Sequence, residues 1–148
     1  HYGAGLVFLP RDAADAEFCQ ATFKRVIEEE GQVLLGWRDV PHYDDMIGPT
    51  ARSAEPAFRQ IFIGRAAGVA SEEHFERKLY VIRKRVEHAI WDSGIAEKAL
   101  FYVPSLSHRT MIYKGMLNAD QVDQMFPDLC DERLVSALAL VHQRFSTN

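Results

Sequence analysis

The sequence predicts an α+β fold, and three observations predict it. Two stretches, roughly residues 12–30 and 71–93, space their apolar residues three and four apart, as helices with one buried face do. Short apolar runs bounded by proline or glycine lie between and beyond them, as strands do. Up to Val103 the resulting order is strand, helix, strand, strand, helix, strand, the split βαβ order of ferredoxin-like folds.

Taken in order, Leu6-Val-Phe-Leu9 is an apolar run closed by Pro10 and reads as the first strand. Asp12 is placed to cap the helix that follows, and Asp15 puts negative charge near its positive end. The apolar residues of that helix cluster at Phe18/Cys19, Thr22/Phe23 and Val26/Ile27, and Gly31 is placed to stop it. The acidic run Glu28-Glu-Glu30 opposes the helix dipole, a cost that full solvation explains. Gln32 to Val40 reads as a second strand. Pro41 to Pro56, with Pro41, Gly48, Pro49 and Pro56 and no period, reads as a loop. Ala57 to Arg65 reads as a third strand, with Phe58, Gln60, Phe62 and Gly64 on one face and Arg59, Ile61 and Ile63 on the other.

Ser71 opens the clearest helix, in which Phe75, Leu79, Ile82, Val86 and Ala89/Ile90 step by three or four. Glu72, Glu73 and Glu76 lie early and Arg83, Lys84 and Arg85 late, which complements the dipole. The basic triplet reads as a solvated face rather than an RNA contact, and Gly94 as the end of the helix. Ala99 to Val103 and Thr110 to Tyr113 read as strands joined by Pro104-Ser-Leu-Ser-His-Arg109. A short helix begins at Asn118 or Asp120 and stops near Pro127. Leu134 to Val141 is ambiguous: its alanines and leucines favour helix, while the unbroken apolar run suits a fully buried strand.

With 148 residues and 47% hydrophobic content, the chain is one domain or a piece of one, with enough apolar side chains for a core. A net charge of -4 argues against a general nucleic-acid binder. No apolar run approaches the ~20 residues that span a bilayer, and no basic-then-apolar leader is present. Cys19 and Cys130 make neither a disulfide framework nor a zinc site; both read as reduced structural residues, which suits the cytoplasm. The chain opens His-Tyr-Gly without methionine and closes on its most polar cluster, so both ends are expected to be cut from something longer.

Few residues carry chemistry. The histidines form no metal motif; His74 and His88 are 14 apart, and no His-Glu-x-x-His occurs. No carboxylate pair stands isolated among apolar neighbours, as acid–base work favours. Gly3 and Gly5 are too short a pattern for a phosphate loop. Ser105 and Ser107 lack the nucleophile-elbow glycines, and their expected role is to close a turn through side-chain hydrogen bonds. His108 and Arg109 are expected to pack the turn rather than to bind an anion. The informative stretch is the last. An apolar run from Ala137 to Val141 delivers His142, Gln143, Arg144, Ser146, Thr147 and Asn148, polar groups at the end of a buried segment. Arg144 presents a planar fork that matches a carboxylate two bonds at a time, and the hydroxyls and amide beyond it complete a cradle. His142 is expected to be a hydrogen-bonded structural histidine.

His142-Gln-Arg-Phe-Ser-Thr-Asn148 resembles the His-x-Arg-aromatic-Ser/Ala-Thr segment of class II glutamine amidotransferases, most closely in the glutamate synthase branch. Val7-Phe-Leu-Pro-Arg-Asp12, Leu35-Gly-Trp-Arg-Asp-Val-Pro41 and Phe75-Glu-Arg-Lys-Leu-Tyr80 support that branch. So do Ser105-Leu-Ser-His-Arg-Thr-Met-Ile-Tyr-Lys-Gly-Met-Leu117 and Ser136-Ala-Leu-Ala-Leu-Val-His142, in family order along nearly the whole chain.

The resemblance implies that residues 1–148 are part of one amidotransferase domain. About 1–103 would be its split βαβ portion, and about 104–148 a short helix and strands of a four-layered N-terminal-nucleophile core. It implies a strand for Leu134 to Val141. It also implies chemistry in which an amino-terminal cysteine attacks the side-chain amide of glutamine with its own α-amine as base, releasing ammonia and then glutamate. Arg144 would grip the α-carboxylate of glutamine, Phe145 stand in the aromatic position, and Thr147 and Asn148 lie beside them. Residue 1 is His, so no catalytic residue is expected in this chain, and the chain alone is expected to be inactive. For the longer enzyme, an oxidoreductase of ammonia assimilation, the branch implies transfer of ammonia to 2-oxoglutarate with FMN and an iron–sulfur cluster in other domains. The alternative is a non-catalytic ferredoxin-like binding or regulatory module.

Overall fold

In a computed structural model of the chain, which describes residues 1–142, the fold is α+β around a small antiparallel sheet. Strands β1 (Tyr2–Leu9), β2 (Val33–Asp39) and β3 (Ala57–Gly64) lie in the order β1-β3-β2, so the last strand in sequence is the central one. Helices α1 (Ala13–Glu29) and α3 (Glu72–Trp91) bury one stripe each, Cys19/Phe23/Val26/Ile27 and Phe75/Leu79/Ile82/Val86/Ile90. These stripes share a core with Val7, Leu9, Ile61 and Ile63 of the sheet. The predicted alternation of β3 therefore holds, with Ile61 and Ile63 on the core side. Phe23 anchors the layer, its ring edge-on to Trp37 at 5.4 Å.

The helix ends follow local chemistry. The Asp12 carboxylate accepts the N–H groups of Ala14 and Asp15, both at 3.0 Å, and Ser71 Oγ accepts that of His74 at 3.1 Å. Gly31, at φ 69°, takes the left-handed turn that ends α1. There the N–H of Gly31 bonds the Glu28 carbonyl and that of Gln32 the Ile27 carbonyl. Helix α3 ends earlier than Gly94 suggests, with Asp92 as its cap.

Gly3 and Gly5 have a packing role. A Cβ at position 3 would overlap the Leu79 side chain, and one at position 5 the Ser105 carbonyl oxygen. The segment around Ser105 crosses the free edge of β1 through two isolated antiparallel bridges, Ala4 with Ser107 and Phe8 with Tyr102.

The chain folds as two compact units. The first, His1–Val40 with Ala54–Ile112, holds the sheet, α1 and α3. The second holds Pro41–Ser53 and the residues from Tyr113 on. In it α2 (Pro49–Ser53) and α4 (Val122–Met125) are short, and Met125 and Phe126 are buried. The Met125 carbonyl accepts the Tyr43 N–H at 2.9 Å, and the Tyr113 hydroxyl donates to Asp128 at 2.8 Å. Asn118 forms a capping box with Gln121 at the start of the turn before α4.

Several sequence expectations are corrected. Ala99 to Val103 is not a strand: the 3-10 turn Lys98–Leu100 runs into it, and its backbone pairs with β1 at the Tyr102 bridge. The reason is a mismatch of length, since Ala4 to Phe8 takes four steps and Tyr102 to Ser107 five, with Pro104 in between lacking an N–H. Thr110 to Tyr113 has no regular structure, and the predicted loop 41–56 contains α2. Leu134 to Val141 is neither buried nor a strand. Val135 is 89% and Leu140 91% exposed, because no strand among the described residues pairs with the run. His142 is likewise exposed rather than buried at a strand end.

The charges are also less solvated than expected. Glu29 and Glu30 are tied to Arg85 of α3, Glu29 also to Arg25 at 2.9 Å and Glu30 to Lys78 at 2.8 Å. Of the basic triplet, Arg83 reaches Glu87 and the Pro104 carbonyl, and Lys84 reaches Glu87. The acidic end of α1 is thus answered by the basic face of the neighbouring helix.

Candidate functional site

The four predicted substrate contacts, Arg144, Phe145, Thr147 and Asn148, lie outside the described residues. The segment that leads to them is described: Ser136 to His142 runs exposed, with Leu138 80% accessible. The cradle inferred from the sequence therefore stands on residue chemistry alone.

Cys19 lies in the middle of α1, fully buried. Burial, and next the Asp15 carboxylate, push its thiol up to about 12. A thiol of that kind carries almost no thiolate near neutrality and is out of reach of a substrate. Cys130 closes a 3-10 turn, Pro127–Cys130, and is exposed, its Sγ 4.0 Å from the Asp123 carbonyl.

His108 and Arg109 pack the turn, as expected, and the anions they meet are internal. The His108 ring stacks on Phe75, centroids 5.9 Å apart and planes 6° from parallel. Its Nε2 lies 3.3 Å from the Glu72 carbonyl and 3.9 Å from the Glu76 carboxylate, which also accepts the His108 backbone N–H. Arg109 reaches Glu73 at 3.1 Å. The Glu73 carboxyl is held below its usual range, first by its own backbone N–H and then by Arg109. Ser107 Oγ accepts the N–H groups of Arg109 and Thr110, which closes the turn. Ser105 Oγ is buried and finds no partner among the described residues.

The remaining charged cluster joins the helices. The Glu30 carboxyl is held below its usual range, first by the Lys78 ammonium and also by Arg85. Beside it lies an open depression lined by Glu30, His74, Arg77, Lys78 and Val81, with the carboxylate already engaged twice. Among the described residues no group of three or more His, Cys, Asp or Glu side chains is placed to hold a metal ion.

A family model described as glutamine amidotransferases class-II matches residues 1–148. The chain belongs to the class II glutamine amidotransferases. Several glutamate synthases are among the proteins it is similar to. It is 47% identical over 147 residues to the glutamate synthase [NADPH] large chain of Bacillus subtilis, covering 99% of this chain. To the protein of the same name from Azospirillum brasilense it is 46% identical over 145 residues, covering 97%. To the chloroplastic ferredoxin-dependent glutamate synthase of Oryza sativa it is 38% identical over 146 residues, covering 99%. The match spans 9% of the length of each of these relatives. No helix among the described residues of this amidotransferase chain is long and apolar enough to cross a membrane.

Sequence reasoning missed which groups meet in this amidotransferase chain. The acidic run at 28–30 and the basic triplet at 83–85 were both visible, but only the antiparallel sheet brings α1 and α3 side by side. Glu73 and Glu76 facing His108 and Arg109 had no sequence signal beyond opposite charge.

Proposed function

We propose that this chain is part of the glutaminase domain of a glutamate synthase. That domain hydrolyses glutamine to glutamate and ammonia, and the enzyme adds the ammonia to 2-oxoglutarate. The observation that carries the reading is the family match over all 148 residues, joined to relatives named glutamate synthase across 97–99% of the chain. The alternative of a non-catalytic binding module finds no support in these similarities.

Within this reading, Arg144 clamps the α-carboxylate of glutamine through its planar fork, with Phe145, Thr147 and Asn148 completing the pocket. Leu134 to Val141 becomes a strand of a four-layered core once sheet partners from the longer polypeptide are present. About 1–103 is the split βαβ portion of the domain and about 104–148 belongs with its core. The nucleophile comes from outside these residues: Cys19 is buried with its thiol raised to about 12, and Cys130 closes a short 3-10 turn rather than an amino terminus. FMN and the iron–sulfur cluster are likewise held elsewhere: two cysteines, one of them buried, do not supply a cluster's ligands. The partners are glutamine and the remaining domains of the polypeptide, in the cytoplasm.

The test compares two preparations with glutamine as the sole substrate. The full-length polypeptide is expected to release glutamate and ammonia in a reaction abolished by thiol alkylation, and the 148-residue chain alone to release none. A full-length polypeptide that binds or cleaves no glutamine contradicts the reading.

A further inference from the structure

We propose that the exposed end of the second sheet face is a docking surface for another part of the same, longer polypeptide. One face of the sheet packs on α1 and α3. On the other, Tyr2 pairs with Gly64 and Gly64 with Val33, so all three share that face. Phe62, two residues before Gly64, shares it too and holds its ring 5.9 Å from that of Tyr2. Leu35 lies over Gly64, its Cδ2 3.1 Å from where a Cβ would stand. The patch is apolar and open: Tyr2 is 57%, Val33 51% and Leu35 58% exposed. The far end of the same face is closed, with Leu6 1% and Phe58 5% exposed.

The size of the patch selects its occupant. Three half-exposed large side chains present roughly 300 Å² of apolar surface, the size of the largest patch on an ordinary soluble protein, which is often functional. A stable bimolecular interface takes roughly 800 Å² from each partner, so a second copy held by this patch alone would not persist. A covalently attached segment needs far less, because tethering raises its effective concentration to the millimolar range. The relatives supply such segments, since the match spans only 9% of their length. The complementary chemistry is an uncharged, apolar segment presenting aliphatic side chains to Tyr2 and Phe62.

Hydroxyl-radical footprinting of the full-length polypeptide tests this with an internal reference. Tyr2 and Tyr80 are exposed alike here, 57% and 58%, so the isolated geometry protects them equally. Docking predicts that Tyr2 reacts at least fivefold more slowly, relative to its rate in the unfolded chain, than Tyr80 does. Leu35→Lys should then raise the Tyr2 rate to that of Tyr80 and leave Tyr80 unchanged. Equal protection of the two tyrosines in the parent protein, or a Tyr2 rate unmoved by Leu35→Lys, overturns the proposal. Protection that fades on dilution also overturns it, since the occupant is then a second copy.

Discussion

Gly5→Ala is a demanding probe of the strap that crosses β1. The added Cβ overlaps the Ser105 carbonyl oxygen and lies 3.2 Å from the Leu106 Cα, both of them main-chain atoms. A side chain would swing aside; main chain must move bodily. The cheapest relief is for the strap to lift at Ser107. That breaks the two bonds of the Ala4 bridge, at 2.9 and 3.1 Å, and uncovers Leu106, which is 5% exposed. Two hydrogen bonds at ~1 kcal/mol each and partial exposure of a leucine at ~1–2 kcal/mol give a gross cost of ~3–4 kcal/mol. Alanine recovers ~0.5–1 kcal/mol by restricting the unfolded chain, so the net loss is about 2–3 kcal/mol. Urea unfolding of the chain measures it, with amide exchange at Ala4 and Ser107 as the local readout. Gly68→Ala meets nothing within 4 Å and serves as the control, expected within ~0.5 kcal/mol of wild type. A Gly5→Ala chain as stable as the control, with the Ala4 amide still protected, would falsify the strap's role.

Other predictions follow from the charges and thiols. Glu30 has its folded pKa depressed by Lys78 and Arg85, so its contribution is present above its unfolded pKa of ~4.3 and is lost as pH falls through the folded value. Glu30→Gln should therefore cost stability near pH 7, by roughly 1 kcal/mol because the Lys78 and Arg85 cations remain partly exposed, and nothing once Glu30 is protonated. A gap between wild type and variant that stays constant down to pH 2 contradicts this. A maleimide should modify Cys130 rapidly in the native chain and Cys19 only on unfolding, with mass spectrometry of the two peptides as the assay; comparable rates would place Cys19 wrongly. Arg109→Ala should free the turn at 107–110 from α3, seen as faster exchange at the Thr110 amide. Unchanged exchange would show that the Ser107 turn holds without the ion pair.

How much was legible in the sequence depends on how local the cause was. The stripes of α1 and α3, their caps at Asp12 and Ser71, and the stop at Gly31 are written within a few residues and were read correctly. The three paired strands were found as apolar runs, and β3 lies between β1 and β2, where a split βαβ unit places it. The strand expected at Ala99 to Val103 failed on one surplus residue and a proline, a register mismatch invisible without its partner. The spacing of Gly3 and Gly5 looked uninformative, and only the strap and Leu79 above them explain it. Leu134 to Val141 has the composition of a buried strand, yet a strand forms only where a ladder is offered. The candidate site lies at the opposite extreme: Arg144, Phe145, Thr147 and Asn148 rest on their motif alone and lie outside the described residues.

The most direct measurement of the central claim is a comparison of two activities on one preparation of the full-length polypeptide carrying Arg144→Lys. The substitution keeps the positive charge but loses the planar fork that grips a carboxylate. Glutamine-dependent synthesis of glutamate should fall sharply, synthesis from added ammonia should persist, and the melting temperature should stay put. Arg144→Ala should be worse in the first activity alone, on the order of 2–5 kcal/mol if the pair is shielded from water. If both activities decline together with stability, Arg144 is a structural residue. If glutamine kinetics are unchanged, it does not hold the substrate, and the proposed glutamine site is wrong.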